Sequence, residues 1–489
     1  MHDEFDVVVV GGGPVGLWVA CELALAKIKV VVLERRVNVV DQSRALAIQG
    51  RTIEVFAMRG LADRLLTKGR TISKGHFGGL GTPLDFSPFD TRFPITLLLP
   101  QATTEAVLEA RALELGVDIR RGHLVVSTTS FADCVIVEGL KSETPFRCSS
   151  RYVVGADGAQ SLIRREAGIG FVGHPARNAF LLAEAVLEAP PGQSLVTIVN
   201  EKGALLVAPR GDHVHHRIVV NATLDRSPSE PVSFDEIKAA AVRIAGTDYR
   251  PRDPIWLTRF TDETRLAEHY RRGRIFLAGD AAHIHAPMGG QGLNVGIQDA
   301  MNLGWKLANV LHGAASDSLL GTYERERWKV GEMLRRNTLA QVALFCNFDP
   351  AALAMRSLFE DLLRMDEINR LLAAQGSGYS VAYAEPLYAP EPGWQHRDGI
   401  SGNRVPDLDL LLEDGSRAAL YGFMNDGSWL NLHRAPESGK PAGAMPLKHI
   451  RLAAEGNHEL LGNLSSVLVR PDGYIGHVKM KEADGLDHL

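Results

Sequence analysis

At about 150 residues per domain, a chain of 489 residues predicts roughly three domains, enough to bury several cores without disulfides or metals. Its 53 basic and 58 acidic side chains leave a net charge of −5, which argues against a general nucleic-acid binder, usually marked by a basic surplus. A composition of 45% hydrophobic and 23% charged residues is that of an ordinary soluble globular protein. Glycine is the outlier: 48 residues, above the average of about 7%, with no collagen-like period. The four cysteines, Cys21, Cys134, Cys148 and Cys346, form no CxxC or zinc-ligand spacing and read as reduced, buried thiols. The opening Met1-His2-Asp3-Glu4-Phe5-Asp6 is acidic, unlike the basic start of a secretory signal. No apolar stretch reaches the roughly 18 residues of a membrane span. The expectation is a cytoplasmic protein without membrane or nucleic-acid partners.

In chain order, residues 5–10 predict a buried strand, 11–16 a turn, 17–26 a helix with a wide apolar face and 29–34 a second buried strand. That is a right-handed βαβ unit. A helix follows over 100–115, then strands over 117–120 and 151–155. From about 175 to 260 the pattern changes to strands separated by Gly, Pro and Asp turns: 194–200, 204–209 and 216–222. This predicts a mostly antiparallel sheet inserted into the α/β domain. The buried-strand pattern returns at 274–279, followed by a long helix over 295–311 and further helices over 316–375. Residues 386–406 are rich in Pro and Gly and read as a linker. Residues 407–480 alternate short strands and turns, as a third domain would.

Three motifs punctuate this order. Gly11-Gly12-Gly13-Pro14-Val15-Gly16 fits GxGxxG after a strand and before a helix. In that setting the first glycine makes a tight turn, the second admits a pyrophosphate to the backbone and the third lets helix and strand pack closely. The helix N-terminus adds N–H groups and a positive dipole end for the phosphates. Glu34 ends the second strand 23 residues after Gly11, where an acid binds an adenosine ribose hydroxyl. Ala156-Asp157-Gly158 follows the 151–155 strand, with Ser161 and Arg164 after it; taken alone, the Asp-Gly pair is as readily a plain turn. Gly279-Asp280 follows the third buried strand and leads through Met288-Gly289-Gly290-Gln291-Gly292-Leu293-Asn294 into the long helix. These glycines let a flat ring lie against the backbone.

Together these elements resemble the FAD-dependent single-component aromatic hydroxylases, the class A flavoprotein monooxygenases. GxGxxG, Gly155-Ala156-Asp157-Gly158 and Gly279-Asp280 stand in that family's order and spacing. The tract from Gly279 through Gln298-Asp299-Ala300-Met301-Asn302-Leu303-Gly304-Trp305 to Leu307 is similar to it, as is Arg44-Ala45 with Arg51-Thr52-Ile53-Glu54. The likeness runs over about 4–345. The subgroup it resembles is the aromatic polyketide and antibiotic hydroxylases, which carry a C-terminal thioredoxin-like domain. Residues 404–411 and 470–475 are similar to that extension, more loosely, since His477 stands where many relatives have Trp.

The resemblance implies an α/β fold: a Rossmann-like FAD-binding domain of the GR2 type over 1–174 and 271–385, and an interleaved antiparallel substrate sheet over 175–270 with part of 70–100. A thioredoxin-like domain over 386–489 would complete it. With no cysteine after Cys346, dithiol chemistry is impossible there, which leaves a structural or interface role. The resemblance also assigns the site. Gly11, Gly13, Pro14 and Gly16 would hold the FAD pyrophosphate, Glu34 the adenosine ribose, Arg35 the adenine edge and Val125 the adenine through its backbone. Arg44 and Gln101 would meet the phosphate–ribityl region. Asp157 would support the motif shared by FAD and nicotinamide binding, and Asp280 would bind the ribityl or phosphate. Pro287, Gly290, Gly292, Leu293 and Asn294 would line the isoalloxazine ring.

NADPH or NADH would act as a transient co-substrate, because no second GxGxxG opens a helix; Gly75–Gly81 is followed by Thr82-Pro83. O₂ would add at flavin C4a, and the hydroperoxide would hydroxylate a phenolic or polycyclic aromatic substrate in a monomer or homodimer. No side-chain nucleophile is needed, so no catalytic residue is named. Baeyer–Villiger oxygenation of a polyketide ketone and a non-catalytic FAD-binding protein are the alternatives. His283-Ile284-His285 lacks a third metal ligand. His213 and His215 would share one face of a strand edge, and Phe180, Phe234, Trp256 and Phe260 would line an aromatic pocket or pack in cores.

Overall fold

A computed structural model describes residues 3–39, 42–192, 195–225, 230–387, 393–434 and 446–481. Ser194, where one predicted strand begins, lies outside them, as does part of the 386–406 segment. The central sheet places Arg271–Arg272, Ile275–Leu277, Thr144–Gly155, Asp3–Val10, Val30–Glu34 and Asp118–Arg121 side by side. The last five run parallel. The antiparallel strands His123–Ser130 and Val135–Lys141 fold back beside Thr144–Gly155. The runs Val7–Val10 and Val30–Leu33 are buried, as β-branched strands covered on both faces should be.

Register fixes the position of the motifs. Val10 pairs with Gly155 and with Leu33, and Gly155 pairs with Leu277. The three glycine-bearing loops and Glu34 therefore leave the sheet at one level, at the carboxyl ends of the strands, where α/β folds bind ligands. Helix Pro14–Leu25 begins three residues earlier than the periodicity suggests, because Pro14 is favourable in the first helical turn. It packs against the long helix Gly292–Leu311. At their crossing, a Cβ on Gly296 would lie 2.6 Å from Val15 Cγ2, and one on Gly304 would lie 2.5 Å from Glu22 Cβ.

The inserted sheet is antiparallel, in the order Val196–Asn200, Gly203–Pro209, His215–Ala222, Ala179–Leu187, Pro251–Thr261. One face, with Leu181, Ala183, Leu205, Val207, Ile218 and Val220, packs on Ile237, Ala241 and Ile244 of helix Phe234–Ala245. The opposite face carries Phe180, Ala204, Leu206, Val219 and Phe260 toward Ala286 and Met288 of the glycine-rich tract and Phe345 of helix Ser318–Cys346. Alternation along each strand separates the two sets. One open alternative closes here and one expectation changes. Phe234 packs with the helix-covered face, apart from Phe180 and Phe260, which stack at 5.0 Å. His213 lies in a turn with φ +63° rather than in a strand, so it shares no face with His215.

The C-terminal unit has a four-stranded sheet in the order Leu447–Arg451, Trp429–His433, Leu464–Val469, Ile475–Met480. The first pair is parallel and the others antiparallel. Among the described residues past 393 there are 3₁₀ turns but no α-helix. The Pro/Gly-rich segment is not a free linker where it is described: Trp394 and Val405 are buried, and Gln395 bridges to Val478. The unit shares one core with the central sheet. Its turn at 470–473 plugs into the first unit. Arg51 donates to Asp472 O at 2.8 Å and Arg59 to Pro471 O at 3.0 Å, while Arg470 pairs with Glu326 and Trp305 donates to Asp472. The four cysteines are free, and Cys21, Cys148 and Cys346 are buried as expected, whereas Cys134 is only half-buried.

The helix crossing is testable. Gly304→Val should lower stability by about 1–3 kcal/mol through overpacking. Gly321→Ala should be neutral or stabilising by up to about 1 kcal/mol, because a Cβ there meets only the far end of Arg325, at 3.8 Å. Chemical denaturation of the two variants compares them; equal midpoints would show that the crossing tolerates side-chain volume.

Candidate functional site: a dinucleotide cleft under an apolar roof

The three motifs meet by backbone approach that leaves no room for side chains. Gly11 has φ +110°, and a Cβ on it would lie 2.3 Å from Ala156 O; one on Gly16 would lie 2.0 Å from Gly11 O. A Cβ on Gly13 would have nothing within 4 Å. The middle glycine thus faces open space at the start of a helix with no side-chain cap, the position a pyrophosphate needs. Gly279, φ +61°, rests against Val15, which joins the third motif to the first.

Glu34 sits at the rim. Its carboxylate accepts from Gly12 N at 2.7 Å and from Arg36 N at 2.8 Å, and pairs with the Arg36 guanidinium at 3.0 Å. Burial opposes its ionisation, but these N–H donors and the Arg36 charge outweigh it and hold the carboxyl below its usual value. Arg35 beside it is exposed. Gly122 donates to Arg36 O at 3.2 Å, bringing the strand of Val125 alongside; Val125 pairs with Gly139. Gln101 accepts from Ala45 N at 3.0 Å and donates to Glu105, so it fixes the loop that presents the exposed Arg44. Asp280 is solvent-exposed but lies in the cleft, where the surrounding protein raises its carboxyl above the usual range against the opposing pull of His283 and Arg44.

Asp157, expected to support its motif, and Asn294, expected beside the ring, both brace loops in the structure. Asp157 accepts from Ser161 Oγ at 2.5 Å and from Leu162 N and Ile163 N at 2.7 and 3.1 Å, holding the start of helix Leu162–Glu166. Asn294 is buried. It accepts from Gln49 N at 2.8 Å and donates to Ala47 O and Gly290 O at 2.9 and 2.7 Å. Its amide thereby ties the Ala47–Gln49 strand to the glycine loop. Gly290 stands at φ +62°, Gly292 faces His285, Pro287 is exposed and Leu293 is half-buried. His285 donates from Nδ1 to Ala286 O at 2.7 Å; burial lowers its pKa to about 4. An open middle glycine, an uncapped helix start, the Glu34 rim and a strand-level row of backbone fit FAD.

Two buried charge clusters escaped sequence reasoning. Asp299 accepts from Gly279 N at 3.2 Å, faces His283 Nε2 at 2.8 Å and pairs with Arg327 at 2.7 Å, which anchors the Gly279-Asp280 turn and explains His283 without a metal. Among the described residues no group could hold a metal ion. Glu184 pairs with Arg210 and Arg217 at 2.8 and 2.6 Å, and Arg217 donates to the carbonyls of Ser43 and Arg44. The partners are separated by up to 174 positions in the chain, so no local signal marks them.

Asp299→Leu would leave Arg327 buried without its counter-charge. A loss of about 3–5 kcal/mol is expected in denaturant unfolding, together with weaker flavin retention; a loss below about 1 kcal/mol would count against the anchoring role. For Glu34, the lowered folded pKa means its contacts stabilise above the unfolded value of about 4.3 and lose that contribution as pH falls through the lower folded value. Glu34→Gln should flatten this acid limb of the stability–pH profile.

Comparison with known proteins agrees with this geometry. Residues 4–338 match the family described as FAD binding domain. A 12-dehydrotetracycline 5-monooxygenase/anhydrotetracycline 6-monooxygenase of Streptomyces rimosus is 40% identical over 488 residues, covering 96% of this chain and 95% of that one. A rifampicin monooxygenase of Streptomyces venezuelae is 39% identical over 475 residues, with 96% and 95% covered. Among solved structures, the anhydrotetracycline hydroxylase OxyS from Streptomyces rimosus superposes with a TM-score of 0.86 at 38% identity, over 99% of this chain and 97% of that one. With its three motifs at one sheet level and a full-length match to such enzymes, the chain belongs to the FAD-dependent aromatic hydroxylases, the class A flavoprotein monooxygenases.

Proposed function

We propose that the protein hydroxylates a phenolic or polycyclic aromatic compound of the polyketide or antibiotic type, consuming NADPH or NADH and O₂ and releasing water. The observation that carries this reading is the roof. Over the glycine-rich tract the inserted sheet carries the half-buried Leu206, Val219 and Phe260, backed by the fully buried Phe180 and Ala204, an apolar lining suited to a flat ring system. The buried charges on that face, Glu184, Arg210 and Arg217, are spent on each other and on the Ser43 and Arg44 carbonyls. Bound FAD would supply the redox chemistry, passing electrons from the nicotinamide to O₂ and one oxygen atom to the substrate.

The chain's own residues do the rest. Gly11, Gly13, Pro14 and Gly16 would hold the pyrophosphate, Glu34, Arg35 and Val125 the adenosine end, and Arg44, Gln101 and Asp280 the phosphate–ribityl region. Pro287, Gly290, Gly292 and Leu293 would line the ring, with Asn294 and Asp157 bracing the loops that carry them. The apolar roof and Met288 exclude water from the reacting face, which limits loss of oxygen as peroxide, and hold the substrate edge toward the ring. The domain division 1–174 with 271–385, 175–270 and 386–489 follows the same reading. For the last unit, a thioredoxin-like sheet is supported by its strand order, in which the first two strands are parallel and the last two add antiparallel.

Purified protein should be yellow, with absorbance near about 450 nm. NADPH and NADH oxidation would be followed with anhydrotetracycline, rifampicin and simple phenols, recording product mass and peroxide. A product heavier by one oxygen atom, formed with substrate-accelerated nicotinamide oxidation, supports hydroxylation. A lactone or ester formed from a ketone indicates Baeyer–Villiger chemistry, and bound FAD with no acceleration by any aromatic indicates a non-catalytic flavoprotein. Phe260→Ala should raise KM about tenfold, as loss of an aromatic contact of about 1.4 kcal/mol would, while flavin retention stays unchanged. Lost FAD with an unaltered substrate range would overturn the roof assignment.

A further inference from the structure

The glycine-rich segment Gly75–Gly81 opens no helix, yet it is held in place by side chains on both sides. Gly78 and Gly79 stand at φ +54° and +66°. A Cβ on Gly79 would lie 2.5 Å from Thr197 Cγ2 and 3.0 Å from Phe345, so the strap closes between the edge strand of the roof and the end of helix Ser318–Cys346. On its other side Phe77 stacks on Phe359 at 5.8 Å. Helix Pro350–Leu363 latches it from outside. Arg356 donates to Gly78 O at 2.7 Å and to Gly79 O, and Glu360 accepts from Gly81 N at 2.7 Å and from Thr82 N.

A chain of amides leads inward from the strap. Gly78 N donates to Gln341 Oε1 at 3.1 Å, and Gln341 Nε2 donates to Asn337 Oδ1 at 2.7 Å. Gln291 Nε2, in the loop expected to line the isoalloxazine, donates to the same Asn337 oxygen at 3.0 Å. Gln341 and Gln291 are buried, and Asn337 is also oriented by its bond to Gln375 at 3.1 Å. The two mobile-capable ends, a strap of glycines and a loop of glycines, are thus joined by two side chains on one rigid helix.

We propose that Gln341 and Asn337 are positioning residues that couple the Gly75–Gly81 strap to the Gly289–Gln291 loop, so that the seating of the strap is transmitted to the cofactor site. A polar network with every member bonded has two discrete arrangements, made or broken, and so transmits a displacement instead of absorbing it. The strap's role as a wall of the substrate chamber rests on the function proposed above; the relay itself does not.

The test uses the full-length holoenzyme and hydrogen exchange. Arg356→Met loosens the strap from outside, far from the flavin, and Glu360→Gln does so from the second anchor should the first variant fold poorly. Either should speed exchange in the strap and, about threefold or more, in the Gly289–Gln291 loop. Adding Asn337→Leu, at a half-buried position, should leave the strap fast but abolish the loop's response to the latch variant, a non-additive cycle. A loop indifferent to the latch variants, or one that responds equally with and without Asn337→Leu, overturns the proposal. With anhydrotetracycline as probe, latch variants should also raise the share of NADPH oxidation that ends as peroxide. An enzyme inert toward every aromatic but with the exchange coupling present supports the relay and counts against the substrate assignment alone.

Discussion

The cofactor cleft depends on backbone touching backbone. Gly11 approaches the backbone of Ala156 and Gly16 that of Gly11, while Gly279 rests on the Val15 side chain, each at a distance that a Cβ would violate. Register brings these contacts together: Val10, Gly155 and Leu277 end their strands side by side. Were any one strand slipped by a residue, its loop would leave at another level and its alternate face would turn outward. The open space at Gly13 exists because the glycines around it let the loops close without filling it.

Loops this rich in glycine have little stiffness of their own, and buried polar groups supply it. Asp299 holds the Gly279 turn, Asn294 holds the Gly290 loop and Asp157 holds the turn after Gly155. Arg217, paired with Glu184, holds the carbonyls beside Arg44. Buried charges are costly unless paired, and here the pairing partners come from separate elements, so each pair constrains how those elements meet. The same logic joins the C-terminal unit: Arg51 and Arg59 reach carbonyls of its 470–473 turn, while Arg470 reaches back to Glu326. Lys306 also lies buried against Glu326 at 2.6 Å, and burial lowers its pKa to about 8. The third unit is therefore a built-in part of the flavoprotein core, consistent with its lack of cysteines for redox chemistry.

The roof is a five-stranded antiparallel sheet. Its two faces are set by strand alternation, one committed to helix Phe234–Ala245 and one turned to the glycine-rich tract and the end of helix Ser318–Cys346. Changes on the cleft face alter the surface a substrate meets without touching the glycine contacts.

The sequence by itself determined the βαβ opening, the three glycine motifs and their order, the acid at the end of the second strand, the inserted antiparallel sheet and the family. Those signals are local: period, turn chemistry and fixed spacing act within a few residues. It placed His213 in a strand, where the structure has a left-handed turn, because a turn's backbone is not settled until the strands it joins are in place; of the two roles it left open for Phe234, core packing is the one the structure has. It treated 386–406 as a linker, whereas Trp394 and Val405 are buried against the last sheet. Only the tertiary structure decided that Asp157 and Asn294 brace loops, that Glu184 and Asp299 anchor them and that Gln341 links strap to cofactor loop. Those roles rest on contacts between residues tens to hundreds of positions apart, where the physical cause is burial of a charge or amide that must find a partner, and the chain order carries no mark of which partner it finds.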